Sequence, residues 1–100
     1  MKRLAFLFIA LATVVVANAA IVTGQVTDAQ GEPLIGVSVV QTGTSNGTIT
    51  DFDGFYNIDV ANDAQLQFSY IGYVTVTENI NNRTTINIVL REDTRVLEEV

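Results

Sequence analysis

The residues best suited to chemistry lie in one short stretch. Asp51-Phe52-Asp53-Gly54 sets two carboxylates one residue apart ahead of a glycine, the way a calcium loop opens. Such a loop runs for about twelve positions, with a ligand oxygen at the fifth and a bidentate glutamate at the last. Counted from Asp51, those places hold Phe55 and Asn62, so the cation set is incomplete. The favoured reading is an Asp-Gly turn, in which glycine accepts a positive φ and the aspartate carboxylate caps backbone N–H groups. Asp51 and Asp53 stay as secondary metal candidates only.

The rest of the catalytic inventory is thin. The chain has no histidine and no cysteine, which removes imidazole bases, thiol nucleophiles and most transition-metal sites. Lys2 is its sole lysine, so Schiff-base chemistry has nothing to work with beyond the N-terminus. Paired carboxylates can do acid–base work, but here they sit in turns, without the apolar enclosure that raises a pKa. The expectation is a protein that is not an enzyme, needs no cofactor and acts through its surfaces.

The elements that must present those surfaces begin after a leader. Lys2 and Arg3 precede an apolar run from Leu4 to Ala17, broken only by Thr13, and Ala17-Asn18-Ala19 supplies small residues for a peptidase. This pattern predicts a signal peptide over 1–19, cleaved before Ala20, and hence export. The run is shorter than the roughly 20 apolar residues of a membrane span. Without Lys2 and Arg3 the formal charge moves from −6 to −8, with Arg83, Arg91 and Arg95 facing eleven carboxylates. A nucleic-acid or anionic-lipid surface needs clustered cations, so both are excluded as partners, whereas a basic protein is not. About 80 residues remain, one domain with no disulfide to staple it.

Beyond residue 20 the hydrophobic period is two throughout. Val22 and Val26, Val37 and Val39, and the set Tyr56, Ile58 and Val60 alternate with polar neighbours. Leu66, Phe68 and Tyr70, then Val74 and Val76, then Ile86, Ile88 and Leu90 do the same. Turn formers at 28–33, 42–47, Asp53-Gly54 and Asn81-Asn82 separate them, and no stretch carries helical spacing. About seven short strands at regular intervals predict an all-β sandwich over 20–91, followed by a charged tail over 92–100. Phe52, Phe55 and Tyr73 fit no inward face and form a candidate exposed aromatic patch. Asn46-Gly47-Thr48 and Asn82-Arg83-Thr84 match the glycosylation triplet but read as ordinary loop chemistry.

Taken in order, the motifs resemble a known module. Gly24-Gln25-Val26-Thr27-Asp28, Gly31-Glu32-Pro33-Leu34-Ile35-Gly36-Val37-Ser38-Val39 and the pairs Gly43-Thr44 and Gly47-Thr48 are similar to the carboxypeptidase-regulatory-like, transthyretin-type domain. Thr50-Asp51-Phe52-Asp53-Gly54-Phe55-Tyr56, Phe68-Ser69-Tyr70-Ile71-Gly72-Tyr73 and Leu90-Arg91-Glu92-Asp93-Thr94 narrow this to one class. They resemble the N-terminal extension of SusC/RagA-class TonB-dependent outer-membrane transporters of Bacteroidetes. The resemblance implies a Greek-key, Ig-like β-sandwich on the periplasmic side of a barrel that imports glycans or peptides beneath a SusD-like lipoprotein. It also gives Val96, Leu97, Glu98, Glu99 and Val100 a meaning, as the approach to a TonB box that pairs with an edge strand of TonB. The alternative is a free-standing structural, adhesin or ligand-binding module of the cell envelope.

Overall fold

The computed structural model describes residues 19–94, and these build two facing β-sheets. The strands are β1 (Ala19–Asp28), β2 (Ser38–Gln41), β3 (Gly47–Ile49), β4 (Phe55–Ala61), β5 (Gln65–Ser69), β6 (Val76–Asn79) and β7 (Ile88–Leu90). One sheet has the order β4-β1-β7 and the other β3-β2-β5-β6. All neighbours are antiparallel except β1 and β7, which pair parallel with Val26 opposite Ile88. β1 pairs with β4 from Ala19 opposite Ala61 to Gln25 opposite Phe55, so the ladder includes the residue expected on the leader side of the cleavage point.

The alternation seen in the sequence becomes the interior. In β4, Tyr56, Ile58 and Val60 point inward while Phe55, Asn57 and Asp59 point out. From the other strands Val22, Val26, Val39, Leu66, Phe68, Ile88 and Leu90 join them, together with Val37 and Ile86 from flanking segments. Phe68 is wholly buried and meets the Tyr56 ring edge-on, centroids 5.5 Å apart. Leu34, Ala64 and Ile80 complete the core from connecting segments, where no period announces them.

One expected inward position differs. Val74 is 42% exposed, and the strand begins only at Val76. The chain turns sharply at Gly72, whose φ is 85°, and the Val74 N–H then donates to Arg91 O at 2.9 Å, just past the end of β7 in the other sheet. That bond turns Val74 away from the interior. Tyr70 lies beyond the end of β5 and packs against the core from its rim.

The registers sort the connections into two ends. The segments 28–37, 50–54 and 70–75 gather at one end, and residues 91–94 leave the sandwich there. The segments 42–46, 62–64 and 80–84 lie at the other, tied by bonds from Thr42 to Gln65 and from Ile80 to Ala64. Arg83 caps that far end, donating to Ile80 O and to Asn79 O and pairing with Glu78 at 3.0 Å. Asn81 and Asn82 both take left-handed φ there, the conformation asparagine tolerates better than most residues.

Tyr56 yields a pH-dependent expectation. Its hydroxyl donates to Ile86 O at 2.7 Å inside the core, and burial, partly offset by Arg83, pushes its pKa up to about 12. In the unfolded chain it titrates near 10. Below pH 10 both states keep the proton and the contribution to stability is whole. Between pH 10 and 12 the unfolded chain loses its proton first, and stability falls. Tyr56→Phe should lower stability by about 1 kcal/mol at neutral pH, the worth of one hydrogen bond, and flatten the decline above pH 10. Urea midpoints measured from pH 8 to 12 on both proteins check this. Parallel curves would contradict it.

Candidate functional site

The end from which the chain leaves is built on two copies of one small loop. In Asp51-Phe52-Asp53-Gly54-Phe55, the Asp51 Oδ1 accepts from the N–H groups of Asp53 and Phe55 at 2.9 and 3.0 Å. The Gly54 N–H donates to Asp51 O, and the Asp51 N–H donates to Phe55 O. Asp28-Ala29-Gln30-Gly31-Glu32 repeats every one of these bonds, its Asp28 Oδ1 accepting from Gln30 and Glu32 at 2.9 Å each. Gly54 and Gly31 both have φ near +80°, the left-handed conformation the loop demands of its fourth residue. A Cβ on Gly54 would also stand 2.6 Å from Val26 O.

The opening candidates are therefore placed as turn residues. One Asp51 oxygen is committed to backbone N–H groups, and the Asp53 carbonyl accepts from Gln25 Nε2 at 2.8 Å. Among the described residues, no three carboxylates come together as metal ligands. Asp28 to Gly31 and Asp51 to Gly54 share one spacing, and this repeat was the signal in the sequence that the two loops are alike.

Thr50 fixes the second loop to the body of the fold. Its side chain is buried, with Oγ1 donating to Leu34 O at 2.6 Å and accepting from the Val37 N–H at 2.9 Å. Its own main chain bonds Val37 O and the Gly36 N–H. Four bonds from one residue thus seat the segment 34–37 on the end of β3. Nothing about a threonine between Ile49 and Asp51 announces this, because the partners come from 13 and 16 residues away.

A third loop carries aromatic residues. Tyr70 and Tyr73 place their rings 5.4 Å apart around Gly72 and lean on the core. Desolvation, followed by the nearby Glu92, Asp28 and Tyr70, holds the Tyr73 hydroxyl above its ordinary pKa. The departing segment meets this loop in an isolated bridge, Tyr73 opposite Glu92, with the Asp93 N–H donating to Gly72 O at 2.9 Å. Glu92 and Asp93, expected in the tail, are thus still tied to the sandwich. Of the aromatic patch, Phe52 is 81% exposed and Phe55 half-exposed, whereas Tyr73 is half-buried. Val96, Leu97, Glu98, Glu99 and Val100 lie outside the described residues.

An open groove of about 520 Å³ runs from β3 across β4 and β1. Thr23, Thr48, Ile49, Phe55, Asn57 and Asn87 are among its lining residues. Asn87 Oδ1 is occupied there, accepting from the Gln25 N–H at 2.9 Å.

Comparison with known proteins agrees with this geometry. Residues 22–100 match the family model described as the CarboxypepD_reg-like domain. TonB-dependent receptor P3 of Formosa agariphila is 41% identical over the full chain, and TonB-dependent receptor SusC of Bacteroides thetaiotaomicron is 40% identical over 79% of it. The chain spans only 10% and 8% of those two relatives. Among solved structures, a type II cohesin–X–dockerin complex from Acetivibrio cellulolyticus superposes with a TM-score of 0.62 at 18% identity, over 73% of this chain and 58% of that one. The 3-chlorocatechol 1,2-dioxygenase of Rhodococcus opacus gives 0.57 at 13%, over 78% and 61%. At those identities the likeness concerns the fold alone. With a family model covering residues 22–100 and receptor relatives at about 40% identity, the chain belongs to the CarboxypepD_reg-like domain family, in the form found in SusC-type TonB-dependent receptors.

Proposed function

We propose that this chain is a non-catalytic accessory domain of a TonB-dependent outer-membrane transporter for glycans or peptides, working on the periplasmic side through protein contacts. The observation that carries the reading is the match of the whole chain, at 41% identity, to a stretch of a TonB-dependent receptor. The chemistry of the domain supports it. Asp28, Asp51 and Thr50 spend their side chains on turns and clamps, and the surface carries exposed apolar side chains at the same end as several carboxylates. Leu97 and its neighbours Val96, Glu98, Glu99 and Val100 would lead from the sandwich toward the segment that TonB grips by strand addition. A SusD-like lipoprotein would meet the barrel, not this domain. Residues 1–19 would be removed on export.

Two measurements test the reading. The DNA after the codon for Val100 should continue in frame into a plug and barrel. In-frame deletion of residues 20–94 should then slow growth on the imported nutrient while barrel abundance in the outer membrane stays constant. Unchanged growth with equal barrel abundance would sink the accessory role.

A further inference from the structure

The exposed apolar side chains are distributed unevenly. Eight large hydrophobic residues are exposed among the described residues, and seven of them belong to the end from which the chain departs or to the strand halves next to it. Ile35, Phe52, Ile71 and Val74 come from three separate loops there, with Phe52 81% and Ile71 91% exposed. Ile21, paired opposite Asp59, is the one exception. The loops of the far end present Thr42, Thr44, Ser45, Asn46, Asn62, Asp63, Asn81 and Asn82 instead. Burial of the core cannot account for this asymmetry, because both ends close the same sandwich.

Charge follows the same division. Asp28, Glu32, Asp51, Asp53, Glu92 and Asp93 all belong to the departing end, with Arg91 as the cation in those segments. Apolar tips inside an acidic surround make a surface whose complement is apolar and basic. A second copy of the same end is a poor occupant, since it would set carboxylate against carboxylate. Residues 91–94 leave the fold at this end, between the Gly72 corner and the Asp28 loop. Relatives are about ten times the length of this chain, and a tethered neighbour acts at high effective concentration.

We infer that the end bearing Ile35, Phe52, Ile71 and Val74 is a docking surface for a basic and apolar face of the transporter polypeptide that follows this domain. The inference rests on the transporter reading. It adds where the domain touches its transporter, and by which side chains. Docking there would fix the domain against the body of the transporter and set the direction in which the linking segment is offered to TonB.

Hydrogen–deuterium exchange tests it on the full-length transporter, with the separate 100-residue chain as reference. Peptides covering 50–55 and 70–75 should exchange about tenfold more slowly in the transporter, while those covering 42–46 and 81–83 should not change. The double variant Phe52→Ser/Ile71→Ser alters only exposed side chains. It should keep the Tm of the separate chain and lose the added protection in the transporter. Raising NaCl to about 0.5 M should reduce that protection, as expected for a charged contact. Equal exchange at 50–55 and 70–75 in the two proteins would overturn the docking surface and leave the accessory role standing, to be judged by growth. Protection indifferent to salt would overturn the basic character of the partner face. A stop codon directly after Val100 would overturn both the surface and the role.

Discussion

Gly24→Ala is expected to remove a large share of the stability of this domain. A Cβ on Gly24 would stand 1.9 Å from Ile86 O and 2.7 Å from Ile86 C, with Tyr56 Cε1 at 3.0 Å. The obstacle is main chain, and it is held on both sides. The Ile86 N–H donates to Thr23 O at 2.9 Å, and the Thr23 N–H donates to Thr84 O at 2.9 Å. To admit one methyl group the parallel pairing of β1 with the approach to β7 must open, and the buried bond from Tyr56 to Ile86 O opens with it. Overpacking of this kind costs about 3 kcal/mol or more when backbone must move. A domain of this size has roughly 4–11 kcal/mol in hand. The expected fall in Tm is roughly 12–24 °C. Thermal unfolding by circular dichroism measures it, and a loss under about 5 °C would show that the two strands separate at little cost.

Phe68→Ala should act on the core with comparable force. Phe68 is fully buried, lies opposite Val39 on β2 and Val76 on β6, and reaches across to the ring of Tyr56 on the facing sheet. Truncation removes the largest wholly buried side chain among the described residues and leaves a cavity bounded by both sheets. Such changes cost about 3–5 kcal/mol, toward the upper end where the surroundings cannot collapse. The site is of that kind, because the ladders on either side of Phe68 fix the distance between its neighbours. Urea titration should show the midpoint falling by roughly 3–5 M if the slope is near 1 kcal/mol per M, as for small domains. Phe68→Leu, which keeps most of the volume, should cost less than half as much. Equal losses in the two variants would mean that ring shape, rather than filled volume, holds the sheets together.

These two positions bear on function through the same geometry. The docking end is held by Thr50, by the paired Asp-Gly loops and by the Gly72 corner, all of which hang on the ladders that Gly24 and Phe68 stabilise. A variant that loosens the sandwich should therefore disturb the departing end indirectly. This is why Phe52→Ser/Ile71→Ser, which touches only exposed side chains, is the cleaner probe of the surface.

The sequence by itself determined the class of the fold and most of its interior. Two-residue alternation can be satisfied only by strands with one wet and one dry face, so Val22, Val26, Tyr56, Ile58, Val60, Leu66, Phe68, Ile86, Ile88 and Leu90 were legible as core without coordinates. Asp51 and Asp53 could be read as turn residues for a similarly local reason, since a carboxylate reaches N–H groups two and four residues on. What lay beyond that reading depends on residues brought together from far along the chain. Gly24 carries no mark of the Ile86 carbonyl 62 residues away, nor Thr50 of Leu34, nor Val74 of the Arg91 carbonyl that turns it outward. The gathering of Ile35, Phe52, Ile71 and Val74 at one end is of the same kind. Each looks like an ordinary loop residue in the sequence, and only the direction in which β2, β3, β5 and β7 run sets them all at the end from which the chain departs.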